Sequence, residues 1–217
     1  MPDPELTRSY DAVAFDLLTG LLDSWTLWNA VAGGAEPGLA WRTEYLRRTY
    51  GEGRYRPYEL LLSESALAAG LSTSFAAELI RRWHDLEPWP EVAEVLGLLS
   101  PGLKLAVVTN CSEALARAAI AKTGVKFAVV VSAERAGWYK PRPRTYAMMI
   151  SELGLPPERV LFVAGSPYDV DGAARAGMPV FWHNRIGLSL PVHAGGDDHD
   201  LVGTADSLRP LVALLGR

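Results

Sequence analysis

The chain has 217 residues, of which 49% are hydrophobic and 21% charged, and a formal net charge of −4. That length suits one α/β domain carrying an insertion, or two small domains, and such a chain buries about 70% of its unfolded surface without needing staples. No basic stripe is visible, which argues against nucleic acid as the main partner. The arginines from Arg42 to Arg56 alternate with Glu44 and Glu52 and read as a mixed helix face. A single Cys111 excludes an internal disulfide and fits a reducing cytoplasm. No apolar run approaches the ~18 residues of a membrane span. The opening Met-Pro-Asp-Pro-Glu lacks the basic and apolar regions of a secretion signal.

In chain order, strands are expected near 12–18, 103–109, 127–132, 159–165 and 179–183. Each is a continuous apolar run, the pattern of a parallel strand covered on both faces. Helical patterns alternate with the last four: Glu113 to Ala121, Arg144 to Leu153 before Gly154, and Asp169 to Ala176 before Gly177. Glycine just past a helix end is a stop signal. This alternation predicts an α/β fold with a doubly wound parallel sheet. The segment from 23 to 90 differs. It holds helical stretches near 39–50, 57–69 and 73–86, with N-cap candidates at Ser72, Thr73 and Ser74, and it closes at Pro88 and Pro90. The expected division is a core of residues 1–22 and 91–217 and an inserted helical cap domain of residues 23–90. The Gly-, Asp- and His-rich stretch 187–204 reads as an exposed loop.

Asp16 follows the buried run Ala12-Val13-Ala14-Phe15. A carboxylate at the carboxyl end of a parallel strand sits where open sheets place their ligand crevice. It can attack carbon or phosphorus and form a covalent ester. Right-handed crossovers bring three further segments to the same sheet edge: Thr109-Asn110-Cys111-Ser112, Lys140-Pro141 with Tyr146 following, and Ala164-Gly165-Ser166-Pro167-Tyr168-Asp169. Lys140 between two carboxylates keeps Asp16 ionised. Thr109 and the amides after it can hold a substrate anion at a helix N-terminus. Asp169 can orient Lys140 or activate water. Cys111 also lies where a thiol pKa can fall, but His84, His183, His193 and His199 show no pairing with it and no metal spacing. Asp171 reads as a first-turn dipole partner. Trp25, Trp28, Trp83 and Trp89 read as packing for the cap and its hinge, with Trp25 and Trp28 also candidates to line the cavity.

Together these motifs resemble the haloacid dehalogenase superfamily of hydrolases, over roughly residues 10–215. Superfamily phosphatases usually carry an Asp two residues after the nucleophile and another just before the Ser of the last motif. This chain has Leu18 and Gly165 there, so magnesium is expected only under an alternative phosphatase reading, and otherwise no cofactor and no metal. The chain looks more like the L-2-haloacid dehalogenases, carrying Trp41-Arg42 with Leu46, Lys140-Pro141 with Tyr146, and Thr109-Asn110. That resemblance implies attack by Asp16 on a small 2-haloalkanoic acid. It makes Arg42 the acceptor of the departing halide and Leu46 a lining residue. Thr109 and Asn110 become the carboxylate site, Lys140 the partner of Asp16, and Asp169 the residue serving the water step. Leu18, Tyr146, Ser166 and Tyr168 are further substrate-binding candidates. Thr19-Gly20 inverts the family's Gly-Thr, which implies a displaced supporting hydroxyl. Ala164 and Ser166 replace a Ser and an Asn that hold water in the family. A C–N ring-opening hydrolase of the azetidine-2-carboxylate type is a second alternative. The expected partners are a small carboxylic acid and a second copy of the chain as a homodimer, with no nucleic acid and no membrane, in the cytoplasm.

Overall fold

The structure is a computed structural model that describes residues 10–190 and 201–217. The core elements, in chain order, are β1 (Ala12–Asp16), four helices of an insert, α5 (Val92–Leu99), β2 (Lys104–Thr109), α6 (Glu113–Ala121), β3 (Val129–Ser132), α7 (Ala133–Ala136), α8 (Pro143–Leu153), β4 (Val160–Ala164), α9 (Pro167–Arg175), β5 (Val180–His183), β6 (Leu201–Ala205) and α10 (Pro210–Leu214). The insert comprises α1 (Ser24–Ala32), α2 (Ala35–Glu52), α3 (Tyr58–Ala68) and α4 (Thr73–Arg81), then a 3-10 turn at Trp83–Asp85.

The sheet is parallel throughout, in the order β3-β2-β1-β4-β5-β6. β1 is central, with β2 on one side and β4 on the other, so the strand order reverses beside Asp16. An open α/β sheet binds its ligand at such a point. Alternation along the strands splits the core in two. Ala12, Ala14, Val108, Phe162 and Trp182 face α8 and α9. Val13, Phe15, Val107, Val163 and Phe181 face the other layer, whose apolar cluster runs without a break through Leu21, Leu22, Leu86 and Trp89 into the insert.

The five expected strands are all present. β6 is a correction: residues 201–204, read as loop, form the edge strand beside β5. Its half-exposed Leu-Val-Gly-Thr-Ala run lacks the apolar signature of a covered strand. His193 and His199 lie outside the described residues. The helix α1 was also unforeseen. Asp23 caps it, accepting from Thr26 N at 3.0 Å, and Gly33 closes it in the left-handed region at φ 84°. Ser72 caps α4 as expected. The chain leaves and re-enters the core at paired segments: Leu22 bridges Pro88, Asp23 N donates to Glu87 O at 2.8 Å, and Trp89 N donates to Leu21 O at 3.0 Å. No helix among the described residues is long and apolar enough to cross a membrane.

Candidate active site

The turn after β1 folds back on its own carboxylate. Asp16 Oδ2 accepts from Thr19 N at 2.9 Å, Thr19 Oγ1 at 2.6 Å and Gly20 N at 3.1 Å. The inverted Thr19-Gly20 pair therefore still delivers a hydroxyl to Asp16, against the expectation of a displaced one. The turn is tight: a Cβ on Gly20 would lie 2.3 Å from the Asp16 carbonyl oxygen. Gly165, at the end of β4, presses against the same turn, where a Cβ would lie 2.4 Å from Thr19 Oγ1 and 2.3 Å from Gly20 N.

Asp16 Oδ1 accepts from Lys140 Nζ at 2.7 Å, and the same ammonium donates to Asp169 Oδ2 at 2.8 Å. All three side chains are buried. Lys140 is held by Asn110, whose Oδ1 accepts from Lys140 N at 2.7 Å. Asp169 sits in the first turn of α9, which Ser166 caps. Tyr146 OH donates to Asp169 Oδ1 at 3.0 Å.

The two carboxylates are set apart by their partners. Burial raises both. Around Asp16, the charge and hydrogen bond of Lys140 and the bonds from Thr19 outweigh it, so its pKa lies below the usual carboxylate range. Asp169 has fewer donors and feels the charge of Asp16, and is pushed up to about 6. Burial works against the Lys140 ammonium, yet the two carboxylates hold its pKa above the ordinary value. The result is one firmly ionised carboxylate beside a second that titrates nearer neutrality.

Across the cavity, Arg42 of α2 is equally buried but unpaired. Its Nη2 donates to Ser24 Oγ at 2.9 Å, and its guanidinium carbon lies 4.0 Å from the Trp25 ring centroid and 5.1 Å from that of Trp28. Among the described residues no carboxylate forms an ion pair with it. Burial lowers its pKa to about 10, which leaves it charged at neutral pH. Arg42 Nη1, Trp28 Nε1, Tyr45 OH and Tyr58 OH are all buried without a partner. The rings form one cluster, with Trp28 5.4 Å from Tyr45 and Tyr45 5.6 Å from Tyr58. Arg42 Nη1 and Trp28 Nε1 can only donate and the two phenol hydroxyls can donate or accept, so the cluster can present up to four donors to an anion.

The cavity between these walls is small, with about 60 Å³ open to the centres of water-sized molecules. Asp16, Leu18, Arg42, Leu46, Thr109, Asn110, Lys140, Ser166, Tyr168 and Asp169 line it, along with Trp25, Tyr45, Thr49, Tyr50 and Leu188. Two expectations change. Tyr146 does not line the cavity; it packs against Phe162 behind Asp169 and acts through that carboxylate. Cys111 is not activated: burial pushes its thiol up to about 12. The helix N-terminus beyond Thr109 is also partly taken, since Glu113 N donates to Glu134 Oε2 at 2.7 Å. Asp171 pairs with Arg175 at 2.9 Å within α9.

Among the described residues no three His, Cys, Asp or Glu side chains gather as metal ligands. The Lys140 ammonium stands between Asp16 and Asp169, and Gly165 has no room for a carboxylate without moving the Thr19-Gly20 turn. These residues do not fit a magnesium ion.

A parallel sheet whose strand order reverses beside a lysine-bridged carboxylate pair, with a helical insert after the first strand, is the α/β architecture of a hydrolase. The family model for haloacid dehalogenase-like hydrolases matches residues 10–177, and the chain belongs to that family. It is 31% identical over 190 residues to an (S)-2-haloacid dehalogenase of Xanthobacter autotrophicus, covering 78% of this chain and 73% of that one. It is 28% identical over 200 residues to the haloacetate dehalogenase H-2 of Moraxella sp. (strain B), covering 84% and 89%. A crystal structure of an L-2-haloacid dehalogenase superposes with a TM-score of 0.83 at 26% identity, over 96% of this chain and 100% of that one.

Proposed function

We propose that this protein hydrolyses the carbon–halogen bond of a small 2-haloalkanoic acid through an ester on Asp16, without metal or organic cofactor. The observation that carries the reading is the pairing of opposed walls: a triply anchored, lysine-bound carboxylate faces a buried cation that has no anionic partner among the described residues. Asp16 Oδ2 is saturated by its three donors, so Oδ1 is the oxygen with electrons to spare. Oδ1 attacks the substituted carbon, the O–C bond forms as the C–halogen bond breaks, and the halide leaves with the bonding pair toward Arg42. Water then adds to the Asp16 carboxyl carbon and gives a proton to Asp169. The charge developing on Oδ2 falls on donors already in place, which is the arrangement that stabilises such intermediates best. The bond from the carboxyl carbon to Oδ1 breaks, the 2-hydroxy acid takes the proton held by Asp169, and the second water proton leaves Asp16 for solvent, which regenerates its carboxylate.

Thr109 and Asn110 stand where the substrate carboxylate docks, and Leu18, Leu46, Ser166 and Tyr168 shape the space around it. Residues 23–90 act as a cap domain over the core of 1–22 and 91–217, and exclusion of water beneath them strengthens each charge interaction. Exposed Leu39, Leu60 and Leu67 on the insert offer an apolar surface to a second copy. The buried free Cys111 suits a cytoplasmic location.

A ring-opening reaction releases an amine, which gains nothing from a fixed cation at its exit; Arg42 therefore favours halide. The test is halide release from a panel of 2-haloacids with EDTA present, followed by single turnover in heavy-oxygen water. Label is expected in Asp16 and not in the first product. Absence of halide from every substrate removes the reading, and loss of activity in EDTA removes the metal-free chemistry.

A further inference from the structure

We propose that Trp89 is a positioning residue for Asp16, acting through the Thr19–Gly20 peptide. The inference rests on the reading of Asp16 as nucleophile and extends it to a residue 73 positions away, outside the cavity lining. Trp89 Nε1 donates to the Thr19 carbonyl oxygen at 3.0 Å. That carbonyl shares one amide plane with Gly20 N, which donates to Asp16 Oδ2 at 3.1 Å. An amide that accepts a hydrogen bond at oxygen donates more strongly at nitrogen, by about 10–30% per bond. The indole thus strengthens one of the three donors that hold Oδ2 in the ground state and receive its charge during ester hydrolysis.

The position of Trp89 is over-determined. Its own backbone N–H donates to Leu21 O at 3.0 Å, so both of its donors bind the turn that follows β1. The next carbonyl, Gly20 O, accepts from His183 Nδ1 at 2.9 Å. Trp89 also lies edge-on to His183, at 6.2 Å between ring centroids. Because Trp89 sits where the insert returns to the core, the contact ties the hinge to the nucleophile: a shift of the return strand loosens the Gly20 amide. The ionisable groups around Asp16 are Lys140 and Asp169 in contact, Arg42 across the cavity, Cys111, and the phenols of Tyr45 and Tyr146. Around the indole itself stand Arg185, 4.7 Å above its ring and paired with Glu91 at 2.8 Å, and His183; the sulfur isostere keeps the bicyclic face toward all three, so it isolates the N–H.

The experiment compares the parent with Trp89→Phe and with a chain carrying 3-benzothienylalanine at position 89, which keeps the bicyclic shape but places sulfur where the N–H was. Aspartate is labelled at its side-chain carboxyl carbon with ¹³C, and the Asp16 resonance is assigned by its loss in Asp16→Asn. In both variants Asp16 is expected to titrate at higher pH, since its charged form loses support. With 2-chloropropionate, kcat is expected to fall about tenfold while KM changes less than about twofold. Esterified Asp16 is expected to accumulate in mass spectra of the quenched enzyme. If the isostere titrates and turns over like the parent, the indole N–H does no such work and the proposal fails, whatever Trp89→Phe does to packing. If the parent releases no halide, the dehalogenase reading fails instead, and the titration still decides the role of Trp89.

Discussion

The two walls of the cavity treat charge in opposite ways. On the sheet edge, every oxygen of Asp16 and Asp169 has a donor within 3.1 Å, and the ammonium of Lys140 serves both. On the insert side, Arg42 and Tyr45 line the cavity with Nη1 and the hydroxyl left without a partner, and Trp28 Nε1 and Tyr58 OH lie unpartnered in the same aromatic cluster. The first wall is complete within the protein; the second leaves buried polar atoms unpartnered, at a cost to folding that the proposed halide would offset.

Removing the nucleophile breaks the sheet-edge wall most severely. Asp16→Asn is expected to lower kcat by about 10⁴-fold or more, read as halide release. The sharpest contrast comes from a matched pair of substitutions. Lys140→Met leaves two buried carboxylates facing each other and is expected to cost about 3–5 kcal/mol in urea unfolding, with activity lost. Arg42→Met removes a buried charge that has no ionic partner. It is expected to leave the unfolding free energy within about 1 kcal/mol of the parent while lowering kcat/KM by about 10²–10³-fold. Equal destabilisation by both would erase the distinction between the walls.

The pH dependence sharpens it further. Asp169 must be ionised to take the proton of water, so kcat is expected to rise as pH rises through about 6, and Asp169→Asn removes that limb along with most activity. In stability the two carboxylates have opposite signs. Asp169 is raised in the folded state, so its contribution is present below the unfolded carboxylate range and is lost as pH rises through about 6. Asp16 is lowered, so its contribution is present above that range and is lost on acidification. The smallest effect is expected from Tyr45→Phe. Deleting an orphaned hydroxyl leaves melting unchanged, while inhibition by bromide weakens a few-fold, measured as a shift in inhibition constant.

Much of the sheet-edge wall was legible in the sequence, because most of its residues lie at or within one helical turn of the end of a continuous apolar run. Thr109, Asp16 and Asp169 inherit their places from strand ends, and Lys140 from the proline after it. The edge strand β6 escaped notice because it is half-exposed and short, and α1 because its two tryptophans and lack of charge give no clean polar face. Tyr146 was placed one layer too close to the substrate; a helix position gives direction, but not which of two carboxylate faces the phenol meets. Trp89 and His183 were legible only as packing. Their partners are backbone carbonyls, and a bond to a carbonyl imposes no residue type at the accepting position. The orphaned hydroxyls of Tyr45 and Tyr58 emerge only from tertiary contact between α2 and α3.

The contact of Gly165 with the Thr19-Gly20 turn also bears on how this chain can change over time. An acidic side chain at position 165 would collide with Thr19 and Gly20 before it reached any ligand. Under the proposed chemistry, crossing to a metal-assisted relative would take matched changes at position 165 and in the Thr19-Gly20 turn, two loops far apart in the chain.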